Sequence, residues 1–157
     1  MRRKDSPPPR TGGTEVEVLR GFLDYLREAI ARKVDGAPEP QVREPAVPSG
    51  TSLLGLLGHL VAVESATFLG AKVADWPATF RPDPDDTVAD VVARYRDTVA
   101  RANAAIDGRT DLGAPVPGRG ARSPSLRWAL THMIEETGRH AGHADIIREL
   151  IDGATGR

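Results

Sequence analysis

The chain has 157 residues, a formal net charge of −1 and no cysteine. A chain of this size buries roughly 70% of its unfolded surface and needs no covalent staple; without cysteine, disulfides, thiolate metal sites and a cysteine nucleophile are excluded. Acidic and basic residues interleave without a basic stripe for nucleic acid, and no apolar run approaches the roughly 20 residues that span a bilayer. The sequence therefore reads as a cytoplasmic protein with a small-molecule substrate, a monomer or homodimer without nucleic-acid or membrane partners.

The amino terminus, MRRKDSPPPR, is charged, but prolines stand where a signal peptide would have its apolar stretch. Residues 1–13 hold three consecutive prolines and Gly12-Gly13, and read as a disordered tail ahead of one domain over 14–157. The first helix is predicted over 15–33. Thr14 and Glu17 have capping-box spacing, and Val16, Leu19, Leu23, Leu26 and Ile30 repeat at helical intervals. Four prolines and no periodicity mark 37–48 as a mobile connector near one end of the bundle. A second helix is predicted over 51–73, capped by Ser49, with His59 and Glu64 the only strongly polar residues in its middle. Residues 74–86 read as a loop. A third helix over 88–106 starts at Thr87 and Asp90 and stops at Asp107-Gly108. After a Gly- and Pro-rich loop, a fourth helix is predicted over 124–152, with Ser123 as N-cap, Pro124 at its first position and Gly153 at its end. Four amphipathic helices and no credible strand specify an all-α four-helix bundle.

Of the four histidines, His132, His140 and His143 lie on the fourth helix and His59 on the second. At about 100° per residue, with His132 as zero, His143 lies near 20°, Glu136 near 40° and His140 near 80°. Met133, Ala144 and Ile147 span roughly 60° to 120°, so Glu136 and His140 face the core and His132 and His143 flank it. A buried carboxylate needs a partner, and a divalent metal held by Glu136, His140 and one residue from another helix would supply it. His59 is the candidate for that third ligand. Two histidines and a carboxylate leave positions open, as catalytic sites do, and suit zinc first, or nickel, iron or manganese. The plainer alternative is a solvated Glu–His pair with His59 as a core histidine bonded to Glu64 or a backbone carbonyl. Arg139, Arg148 and Glu149 read as a solvated face.

The segments LLGLLGHLVAVESATFLG and SLRWALTHMIEETGRHAGHADIIRELIDGATG resemble the DinB-like superfamily, most closely its mini-circle protein branch, related to mycothiol-dependent maleylpyruvate isomerases. The resemblance covers residues 14–156. It implies a four-helix bundle with a metal site at one end of the core, ligated by one histidine of the second helix and two residues four apart on the fourth. His59, Glu136 and His140 fall on those three positions, in the Glu-then-His form of the isomerase-like branch. It also implies a low-molecular-weight thiol, such as mycothiol, as cosubstrate.

The leading expectation is thus a metal-dependent thiol S-transferase or isomerase, with His132 or His143 as proton relay and Arg119 and Arg122 available to an anionic group. Ordinary loop solubility is the stronger reading of Arg119 and Arg122. Metal-dependent hydrolysis and a non-catalytic metal- or small-molecule-binding stress protein are the alternatives. A non-catalytic site would be closed by a fourth protein ligand, His132 or His143; a thiol enzyme needs a cavity beside the metal.

Overall fold

The computed structural model describes residues 6–10 and 12–156. Four helices carry the fold: α1 (Glu15–Val34), α2 (Leu53–Phe68), α3 (Val88–Ile106) and α4 (Leu126–Asp152). Two short 3-10 turns, Pro77–Phe80 and Gly120–Arg122, sit in the connections. Residues 1–5 and 11 of the expected tail lie outside the described residues, and the Ser6 carbonyl accepts a hydrogen bond from the Tyr25 hydroxyl on α1.

The helix starts follow from their caps. Thr14 and Glu17 form the predicted reciprocal capping box on α1, and Thr87 and Asp90 form the one on α3. Two predicted starts are corrected. α2 is capped by Ser52 rather than Ser49, because the Ser52 hydroxyl accepts from Gly55 N–H. It ends at Phe68, five residues before the expected 73, where Gly70 adopts φ 72° and Ala71 N–H turns back to the Ser65 carbonyl. α4 is capped by Ser125 rather than Ser123. The reason is tertiary. Val116 N–H bonds the Pro124 carbonyl and Leu126 N–H bonds the Ala114 carbonyl, which holds 124–125 extended against 114–116. Ser123 instead accepts from the Arg119 N–H.

Two apolar clusters show how the helices run. Ile30 and Val34 at the end of α1 pack with Leu53 and Leu57 at the start of α2, Val91 and Tyr95 at the start of α3, and Ile147 near the end of α4. Leu23 of α1, Phe68 of α2, Ile106 of α3 and Leu126 of α4 pack at the opposite end. So α1 and α4 run one way and α2 and α3 the other. The α2–α3 connection must therefore return along the whole bundle, and its 3-10 turn lies across the middle of α2. Gly55 admits it: a methyl group there would overlap the Phe80 carbonyl oxygen.

The 37–48 connector, expected to be mobile, is tied to the core. Val42 is fully buried, and its carbonyl accepts from Leu54 N–H. Arg148 is not part of a solvated face. It donates to the carbonyls of Lys33, Asp35 and Gly36, satisfying the open end of α1, and pairs with Asp152. Among the described residues no helix is long and apolar enough to cross a membrane.

Candidate metal centre

His59 is placed by the middle of α2, and Glu136 and His140 by successive turns of α4. The site thus sits at mid-height between the two apolar clusters, not at an end of the core. His59 Nε2 stands 3.2 Å from Glu136 Oε1, and His140 Nε2 stands 3.1 Å from the same oxygen. One ligand atom from each of the three residues lies within 4.8 Å of the others. Donors on a tetrahedral ion with bonds near 2.0–2.1 Å stand roughly 3.3 Å apart, and the two distances to Glu136 match that spacing. His59 and His140 are buried and Glu136 is partly exposed, giving the group one open side.

The hydrogen bonds around His59 assign its tautomer. The Thr79 hydroxyl donates to the Trp76 carbonyl at 2.6 Å. Its oxygen is thereby left to accept from His59 Nδ1–H, 2.7 Å away. A neutral imidazole protonated on Nδ1 carries its lone pair on Nε2, and Nε2 points at a carboxylate oxygen. Two acceptors facing each other at 3.2 Å call for a cation between them. His140 has no equivalent anchor, since its Nδ1 is buried without a partner.

Electrostatics agree. Burial pushes both imidazoles below their ordinary pKa, against the opposing pull of Glu136. Burial acts to raise the Glu136 carboxyl, but the two imidazoles together outweigh it and hold it below the ordinary carboxylate value. At neutral pH the group is two neutral imidazoles and one carboxylate, a donor set that fits a divalent ion. Phe80 stacks on His59 with ring centres 3.8 Å apart and 12° between planes, and shields that face from water.

His132 and His143 do not enter this group. His132 stacks on Trp128 at 4.7 Å and lines a pocket of about 110 Å³. His143 is exposed, its ring 5.6 Å from that of His140. Arg119 and Arg122 are both exposed; Arg119 reaches the pocket beside His132, and Arg122 does not line that pocket. A wider cleft of about 580 Å³ opens on the other side of Trp76, against Phe80.

Two contributors went unread in the sequence. Thr79 and Phe80 lie in what reads as a featureless loop; the only signal was Pro77, which suits the first position of a short helical turn. Glu64 is not a partner of His59. It is fully buried and receives two hydrogen bonds, both 2.6 Å, from Arg27 of α1. Arg27 also donates to Asp24 and Asn103.

With this geometry in view, comparison with known proteins is informative. The sequence profile of the mycothiol-S-transferase family matches residues 18–153. The chain belongs to that family, a branch of the DinB-like superfamily. No curated protein matches the sequence. Among solved structures, the fold resembles a conserved protein from Enterococcus faecalis, with a TM-score of 0.61 and 13% identity over 90% of this chain and 99% of that one. At that identity the likeness concerns the fold alone.

Proposed function

We propose that this mycothiol-S-transferase family member is a metal-dependent S-transferase. His59, Glu136 and His140 hold one divalent cation, zinc by first preference, and the cosubstrate is a small thiol of the mycothiol type. The observation that carries the reading is the incomplete ligand set. Among the described residues only these three converge, neither His132 nor His143 closes the group, and Glu136 stays partly exposed. An open coordination position is the mark of catalytic rather than structural sites.

A bound divalent ion supplies the charge that converts a coordinating thiol to its thiolate, the nucleophilic form. The chain's own residues do the rest. Glu136 brings one negative charge to the group. Thr79 holds the His59 ring with its lone pair inward, and Phe80 and Trp76 exclude water from that side. His143, at the exposed edge of His140, receives the thiol proton and passes it to solvent. Because the chain has no cysteine, sulfur chemistry at this site uses sulfur brought by the substrate.

The test is spectroscopic. Protein loaded with cobalt should develop a sulfur-to-metal charge-transfer band on adding mycothiol, with release of about one proton per thiol bound. No protein thiol contributes background. Absence of the band at millimolar thiol, with cobalt still bound, would overturn the thiol reading.

A further inference from the structure

We infer that the crevice between the loop after α2 and the loop before α4 is a binding site for a planar aromatic carboxylate. Its ring would lie against Trp76 and Trp128 and its anionic group on Arg119 and Lys72. As the acceptor subsite of an S-transferase this rests on the function proposed above; as a binding site it stands separately.

The two loops meet backbone to backbone. Gly70 and Gly118 take φ values of 72° and 111°, and a Cβ on Gly118 would stand 2.9 Å from the Gly70 Cα. Only glycine permits this approach. It sets Lys72 and Arg119 around one pocket of about 320 Å³, and Trp76 and Arg119 carry its wall into the smaller pocket that ends at Trp128 and His132. No carboxylate lines either pocket. Neither Lys72 nor Arg119 forms an ion pair among the described residues, and both line the same pocket.

The aromatic content points the same way. The chain has only two tryptophans, and both stand at this crevice, Trp76 41% and Trp128 53% exposed. Trp128 is held by its stack on His132, with 26° between ring planes. Flat apolar faces beside unpaired cations select a ligand that is itself flat and anionic: offset stacking serves the ring, and the arginine fork serves the carboxylate. The position suits an acceptor. His132 is one turn before Glu136 on α4, and the Trp76 ring lies 6.1 Å from that of His59.

The two tryptophans make the crevice its own reporter. Benzoate, added to the protein as purified, should change tryptophan emission saturably. Benzamide, flat but neutral, and cyclohexanecarboxylate, anionic but not flat, should each bind more weakly. Arg119→Gln should weaken benzoate about tenfold, the size of one lost charge-assisted hydrogen bond, and Lys72→Gln less. Equal affinity for benzamide, an unchanged benzoate affinity in Arg119→Gln, or no saturable change with any probe would overturn the inference. Benzoate held by a metal rather than by the crevice would be insensitive to Arg119→Gln and so falls among the overturning results. The two readings fail separately: a missing cobalt–thiol band with intact benzoate binding removes the transferase and leaves the site, and the reverse removes only the site.

Discussion

Glu64 and Glu136 are both acidic residues turned into the bundle, yet they are neutralised in different ways. Glu64 is met by the Arg27 guanidinium in a two-bond fork, with Asp24 and Asn103 taking the two Nη1 hydrogens. Nothing further is required there; charge and hydrogen bonds close within the chain. Glu136 is met by two imidazoles that burial keeps neutral, one with its lone pair turned inward by Thr79. Neither hydrogen bonds nor charge close there: His140 Nδ1 is buried without a partner, and both imidazoles facing the carboxylate are neutral. A buried ion pair that balances itself holds helices in register, whereas a half-buried carboxylate left one positive charge short is prepared to receive a cation.

The sharpest way to break this comparison is to remove the imidazoles. A His59→Ala, His140→Ala double variant should fall from about one bound divalent metal per chain to none, the carboxylate alone being too few ligands. Elemental analysis after reloading and desalting decides it, and retained stoichiometry would return the site to ordinary core packing.

Glu64→Ala should act on the other region alone. It leaves the buried Arg27 with Asp24 as its one remaining carboxylate partner, and breaking a buried pair from one side costs up to about 3–5 kcal/mol. Denaturant unfolding should show that loss, with metal stoichiometry preserved in the folded protein. Loss of metal without loss of stability would mean that the two carboxylates are coupled.

A gentler cut tests the inward lone pair. Thr79→Val keeps the shape and removes the acceptor of His59 Nδ1–H. Metal affinity, read by competition with a chelator, should drop about 10- to 100-fold, as for other partners of metal-bound histidines. Unchanged affinity would show that Phe80 stacking alone sets the ring.

Acid should produce the smallest effect. In the metal-free protein His59 and His140 have folded pKa values below the ordinary 6.5. Below about 6.5 the unfolded chain then binds more protons than the native one, so stability is undiminished above this window and declines as pH falls through it. Glu136, with its pKa also lowered, adds a second decline below its ordinary 4.5. Urea midpoints at neutral and mildly acidic pH should differ in the native sequence and converge in the double histidine variant.

Much of this was legible in the sequence, because local rules decide it. The capping boxes at Thr14 and Thr87 and the 88–106 helix are found where their spacing puts them. The His59, Glu136 and His140 triplet also comes together, since residues four apart share a helix face. What was not legible depends on partners distant in sequence. Ser123 and Ser125 are equally good caps locally; the pairing of 114–116 with 124–126 chooses between them. Arg148 looks like a surface residue until the end of α1 lies beneath it. Glu64 cannot be assigned to Arg27 rather than His59 from one helix at a time.

The contact between Gly55 and the Phe80 carbonyl has a mechanical consequence. The gap between His59 and the turn that holds Thr79 and Phe80 is fixed by main chain resting on main chain. Side chains have rotamers to relax into; two peptide backbones in contact do not. A change in a neighbouring side chain is taken up by rotamers before it reaches the turn, whose seat on α2 is backbone. Position 55 is the exception, where one added carbon would act as a shim, lifting the turn and detuning the ring while leaving every candidate ligand in the chain.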